Sequence, residues 1–393
     1  MKASPPDFSE EVLVNVLALD RAFTDFEFLH VYLGPPRYLR AAAKIAPSRA
    51  YGRLRELLGR LDSAGVPDEA PRCRRTYIRD FMTCVLAQVE AFILRKRRRL
   101  PETVSRLMAA PLPLPFSLEP RIAEVQRELR TMGFRTVAEF DRSKKLRKFR
   151  TRTELVDYAL GFLDEASSRI ARRCSGVFGF DLLAKLRACR VKVVVPRADE
   201  PSCFYRYEGG GRGILGLALR KEFSESYLQN FISHEGVPGH HLYYLVKQHR
   251  IDRGEGDAID LVDTFYSPEN VVNEGLAVCS DRLFGRLTDD AAHLSAQIEK
   301  LLHRAFYNAW HRVNVQRRAL EARLLRLLRG ELGFSEERLA AQLRYHTREA
   351  RYYSPAYPLG IGLVEEIAGR LPPAQVPRLY AQHSAATLRR LAP

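Results

Sequence analysis

Ser233-His234-Glu235-Gly236-Val237-Pro238-Gly239-His240-His241 packs three imidazoles and a carboxylate into one short segment, which is the composition of a metal site. The residues before it, Phe223 to Ile232, carry apolar groups at helical spacing, with Ser224 as N-cap and Glu225 in the first turn. Leu228, Phe231 and Ile232 form the apolar stripe, and Glu235 continues it. Its carboxylate is therefore expected to point inward, where it needs a proton, a counter-charge or a cation.

The spacing departs from His-Glu-x-x-His, in which two histidines one helical turn apart bind zinc and the Glu acts as base. Pro238 stands where the second histidine would be, and proline breaks a helix. On an unbroken helix His240 would lie about 120° around from His234, and His241 roughly 10 Å further along the axis. Neither geometry closes a site. A break at Pro238-Gly239 can swing an imidazole back toward His234, and spacing alone leaves both His240 and His241 open for that place.

His234-Glu235-Gly236-Val237-Pro238-Gly239-His240 resembles the signature of the bacterial family known as domain of unknown function 885, which is similar to gluzincin-type zinc peptidases. Asn273-Glu274-Gly275-Leu276-Ala277 matches that family's following Glu-Gly-(Leu/Trp)-Ala segment. Tyr357-Pro358-Leu359-Gly360, after Arg351-Tyr352, matches its Tyr-x-x-Gly. The likeness covers roughly the second half of the chain and marks this sequence as a divergent member. It implies zinc held by His234, His240 and Glu274, with Glu235 as general base. That set agrees with the usual catalytic zinc site, three N and O ligands and one open position. His241 is expected beside the ligands rather than among them.

The chain has 393 residues, 46% hydrophobic and 28% charged, which is ordinary globular composition. No apolar run reaches the roughly 18 residues of a membrane span. The first residues lack the apolar core of a signal peptide, so a cytoplasmic protein is expected. Six scattered cysteines without a CxxC pair suggest reduced, buried thiols. The net charge of +16 raises the question of nucleic acid, with basic runs at 95–99 and 142–150. No nucleic-acid motif accompanies those runs, so a solvated basic face is the expectation. An anionic substrate or an acidic carrier protein fits the same charge.

From Phe8 to about Arg190 the pattern is helical almost throughout, with breakers at Gly34-Pro35-Pro36 and Pro111 to Pro115, and with no recognisable chemistry. Residues 1–190 are expected to form one wall of a cleft, and 191–393 the metal-binding region, the two making one continuous unit. Strands are expected at Val191–Pro196, Cys203–Tyr207 and Gly213–Leu219, the last two as a hairpin beside the metal helix. Ser267-Pro268-Glu269 opens the helix that carries Glu274, with Asp281 on the same face as Glu274. Asp281 or Asp263 is the expected carboxylate behind a ligand imidazole. Residues 291–328 are expected as one long helix carrying His303, Trp310 and His311. Relatives often carry an Asp and a His on the matching helix, where His311 and Val315 stand here. Another helix is expected from Glu336, capped by Ser335. The Arg351, Tyr352 and Tyr357 groups can donate hydrogen bonds to a developing oxyanion or a carboxylate.

The expectation is thus a mainly α, cleft-shaped, metallopeptidase-like fold with a small sheet beside the metal helix. It would act as a zinc hydrolase of a peptide or small amide. One rival is a biosynthetic enzyme that uses the same metal scaffold on a small-molecule or carrier-bound substrate. The other is a basic nucleic-acid binder with a structural metal.

Overall fold

The computed structural model describes residues 8–391 apart from 26, 64–68, 145, 148, 195–202, 219–222, 286–287, 321, 332–333 and 335. The fold is mainly helical with three small sheets. Among the described residues, no helix is long and apolar enough to cross a membrane.

The expected strands form, as Cys189–Val194, Cys203–Gly209 and Arg212–Ala218. Their spatial order puts Arg212–Ala218 in the middle, antiparallel to its hairpin partner and parallel to Cys189–Val194. Alternation along the hairpin turns Tyr205, Tyr207, Leu215 and Leu217 into the core. Val195, Pro196 and Leu219, which complete the expected strands, lie outside the described residues, as does Ser335.

The first half is helical almost throughout, as expected, with short strands added. Leu29–Tyr32 is a strand paired antiparallel with Val262–Thr264, and Leu146–Arg147 pairs with Phe223–Ser224. The apolar cores also cross the expected boundary at 190. Helices of 12–89 pack with Ile259 and Val262, and residues 118–140 pack with 294–343. Part of each basic run is ion-paired: Glu90 collects Lys96 and Arg98 together with Arg106 from the next helix, Lys144 meets Asp141, and Arg147 meets Glu225.

The expected long helix is shorter than its apolar pattern. It runs Asp290–Asn314 and stops where Arg317 adopts a positive φ of 54°. The chain is helical again from Ala322. Buried Trp310 holds this helix to the following segment by donating Nε1–H to the Arg351 carbonyl at 2.8 Å.

Two glycines fix the helix packing at the centre. Helices Pro268–Leu283 and Ala356–Ala368 cross in close contact. A Cβ on Gly275 would stand 2.4 Å from the Gly360 backbone, and one on Gly360 would stand 2.1 Å from the Val271 carbonyl oxygen. Only residues without side chains permit that approach. The crossing brings Glu274 beside the Tyr353–Tyr357 segment, joining two motifs that are far apart in sequence.

Candidate metal centre

The helix Glu225–Glu235 ends at the break foreseen from Pro238, and a second helix, His240–Asp252, begins after it. Ser224 caps the first helix by accepting from Tyr227 N–H. In the connecting turn the Gly239 backbone presses against the end of the first helix: a Cβ there would lie 1.7 Å from the His234 carbonyl oxygen. Glycine at 239 is what lets the chain fold back over His234 and return His240 to it. The two imidazoles lie 4.9 Å apart between centroids, at 87°.

His234, His240 and Glu274 converge, each offering one ligand atom within 4.8 Å of the others. His234 Nε2 is 3.4 Å from Glu274 Oε2, and His240 Nε2 is 4.0 Å from Glu274 Oε1. Tetrahedral ligands at about 2.0–2.1 Å from a zinc ion are separated by about 3.3 Å, so the His234–Glu274 edge already has about that length and the His240–Glu274 edge is wider. Glu235 stands beside the same point, 4.0 Å from His234 Nε2 and 3.9 Å from His240 Nε2.

The outer contacts orient these groups. His240 Nδ1 pairs with Asn273 Oδ1 at 2.9 Å, which makes it the protonated nitrogen and leaves Nε2 with its lone pair toward the site. Tyr353 donates its hydroxyl to Glu274 Oε1 at 2.7 Å. Glu274 Oε2 remains buried with no hydrogen-bond partner. A buried carboxylate oxygen left in that state and facing two imidazoles fits a bound cation. Burial alone would raise the Glu274 pKa, but His234, His240 and Tyr353 hold it down at about 2. Burial alone would likewise lower His234, but Glu274, Glu235 and Glu299 raise it to about 9. The centre is electronegative: its carboxylates favour the protonated His234, and His234, His240 and Glu274 together form a group that could hold a metal ion.

His241 points away. Its Nδ1 accepts from the Tyr205 hydroxyl at 2.7 Å, and its Nε2 faces the Lys185 carbonyl at 3.3 Å. Burial lowers its pKa to about 4, so it is a neutral core histidine. Gly213 makes room for that pair, since a Cβ there would meet Tyr205 Oη at 2.3 Å. Asp281 is not behind a ligand either: it bonds His293 at 2.9 Å and Lys300 at 3.3 Å, two turns along from Glu274. Asp263 accepts from Tyr244 at 2.8 Å. The place expected for an acidic partner belongs to Asn273.

The centre opens into a cleft of about 420 Å³, lined by His234, Glu235 and Tyr357 among others. Its walls are two helix faces: Tyr227, Asn230, Phe231, His234 and Glu235 on one, and Ser295, Ile298, Glu299, Leu302, His303 and Phe306 on the other. Both series follow the i, i+3, i+4, i+7 spacing. From residues 1–190 only Asp141 and Lys144 are among its described lining residues. Tyr357 stacks on His303 at 4.6 Å and 8°. Burial, with Glu274 and Glu235 nearby, holds its phenol protonated well above the usual range, so it can donate into the cleft. Tyr352 instead packs edge-on against Phe92 at 5.3 Å, and exposed Arg351 lies over the Tyr352 ring at 5.1 Å. Neither lines the cleft.

Sequence reasoning gave no site role to Glu299 or His303, none to Asn273 beyond its place in the motif, and to Tyr353 only a share in the Tyr and Arg cluster of 351–357, not the bond to Glu274. Asn273 adjoins Glu274, and Tyr353 adjoins Tyr352, so adjacency was a usable signal. His311 is buried and does not line the cleft; the carboxylate and imidazole that the long helix does present there, Glu299 and His303, lie about three and about two turns earlier.

Known family models give no match to this chain, and no curated protein matches its sequence. Among solved structures it is similar to the "putative lipoprotein" of Colwellia psychrerythraea, with a TM-score of 0.52 and 16% identity over 89% of this chain. That likeness is one of fold. This chain spans 66% of the neighbour's length.

Proposed function

We propose that the protein is a zinc-dependent hydrolase of an amide or peptide bond and a divergent relative of the domain of unknown function 885 family. The convergence of His234, His240 and the orphaned Glu274 Oε2 beside Glu235, at the end of a cleft, carries this reading. His234 and His240 would bind the ion through Nε2 and Glu274 through Oε2. Zinc bound there would polarise a carbonyl and bring the ionisation of water near neutral pH. Glu235 is placed to take the proton of the attacking water and return it to the leaving nitrogen. Tyr357 is placed to donate to the oxygen that gains charge. Asn273 and Tyr353 keep two of the three ligands aimed at one point. The Gly275–Gly360 contact supports the family relation, because it explains physically why the Glu-Gly and Tyr-x-x-Gly segments belong to one site. A cytoplasmic location goes with this reading, since Cys84, Cys174, Cys189 and Cys279 are buried free thiols.

The test pairs metal content with activity on a library of blocked peptides and aryl amides. Glu235→Gln should bind zinc as the wild type does and lose at least about 100-fold in kcat, the scale of general-base catalysis. A Glu235→Gln protein with full metal and full activity would remove the proposed base.

A further inference from the structure

We propose that the cleft beside Glu235 is a side-chain pocket selecting a bulky apolar group and rejecting an acidic one. This rests on the hydrolase reading above. The apolar part of the cleft's lining is Phe231, Ile298, Leu302, Phe306, Phe334 and Leu339. Phe306, Phe334 and Leu339 are themselves buried in the core that joins residues 118–140 to the long helix, so this apolar surface is backed by fixed packing. A volume of about 420 Å³ lies within the range of small-ligand pockets. It is continuous with His234 and Glu235, so a group seated in it is attached close to the reacting bond.

The charges of the lining point one way. Glu299 is 57% exposed and lines the wall opposite His234 and Glu235, with His303 Nε2 at 3.8 Å. Among the described lining residues the one ammonium, Lys144, is already held by Asp141 at 2.6 Å. His346 is neutral, its pKa lowered to about 3 by burial, and its Nδ1 pairs with Ser354 Oγ at 2.8 Å. A substrate carboxylate entering here would meet Glu299 and Glu235 with no unpaired lysine or arginine among the described lining residues to receive it, and two like charges brought together in a partly desolvated cleft repel. The chain's net charge of +16 therefore does not describe the wall opposite the metal helix, where the charged group is the carboxylate of Glu299.

The experiment measures binding of N-acetyl hydroxamates of phenylalanine, glycine and aspartic acid to the zinc-loaded protein by calorimetry. Phenylalanine should bind at least about tenfold more tightly than glycine, the scale of discrimination by an apolar pocket, and aspartate should bind more weakly than glycine. Leu302→Gln should weaken the phenylalanine ligand without changing the glycine one. Glu299→Lys should bring the aspartate ligand above the glycine one. Equal affinity for phenylalanine and glycine, or aspartate binding as well as phenylalanine, overturns the pocket and leaves the hydrolase reading standing. Absence of binding by every hydroxamate to a protein that holds zinc overturns both.

Discussion

Replacing Gly239 with alanine tests how the motif closes. The added methyl carbon would lie 1.7 Å from the His234 carbonyl oxygen, 2.5 Å from its carbon and 2.7 Å from the Ser233 carbonyl oxygen. All three are backbone atoms, so no rotamer change relieves the contact. Restoring ordinary van der Waals distance requires the turn and the end of the first helix to separate by about 1.7 Å, which carries His234 away from His240. Metal constellations tolerate displacements of about 0.5 Å. Zinc affinity should accordingly fall by at least about 100-fold, the upper end of what loss of one outer contact does. Stability should fall by about 3 kcal/mol, the upper end for overpacking. Competition against a chromogenic chelator reads the first quantity and urea unfolding the second. Gly161→Ala is the control: it sits inside the helix Arg152–Arg173 with nothing within 4 Å of a new Cβ, and should stabilise by about 0.5–1 kcal/mol. A Gly239→Ala protein that binds zinc like the wild type would refute this account of the turn.

Asn273→Ala frees the His240 imidazole to rotate and should lower zinc affinity about 10- to 100-fold while leaving the fold intact by circular dichroism. Lys247 on helix His240–Asp252 and Glu269 on helix Pro268–Leu283 form a fully buried pair at 2.8 Å, with Tyr243 also donating to Glu269. Lys247→Met alone should destabilise by about 3–5 kcal/mol, because it leaves the carboxylate unpaired, and Lys247→Met with Glu269→Gln should recover part of that in urea melts. The pH dependence of zinc binding follows from His234. Its pKa in the metal-free protein is raised to about 9, so the proton competes with zinc throughout the neutral range. Apparent zinc affinity should rise about tenfold per pH unit from pH 7 to 9 and level off above. The sign is opposite for the metal-free fold: a raised histidine pKa stabilises fully below about 6.5 and is lost as pH rises through 9. A flat zinc affinity between pH 7 and 9 would contradict the carboxylate field around His234.

What could be read from the sequence was whatever sits within one turn or one short segment. The helix leading to His234, its Ser224 cap, its break at Pro238-Gly239 and the strand pair around Gly209–Gly211 are all local, and each is where the pattern put it. Glu274 was reachable only through family resemblance, since nothing in spacing connects a residue 40 positions away to His234. The remaining features depend on contacts between distant segments. Leu29–Tyr32 is a strand because Val262–Thr264 offers it an edge. Ser267 occupies the N-cap position of the glutamate helix without making the cap bond, its hydroxyl bonding Asn270 at 3.1 Å instead. Glu269, expected as a first-turn acid, is buried because Lys247 waits for it. His241 looked like a neighbour of the metal because it follows His240, but one residue along a helix rotates a side chain by about 100°, which hands it to Tyr205. Glu299 and His303 were hidden among the polar residues of a long helix until the opposing helix defined which face was the cleft.

The central claim is that one divalent ion sits between His234, His240 and Glu274. It is tested most directly by elemental analysis of the purified chain beside His240→Gln and His241→Gln. The account predicts about one zinc per chain for the wild type and for His241→Gln, and loss of the metal in His240→Gln. A wild-type chain that takes up no metal, or a His240→Gln chain that retains it, would contradict the account.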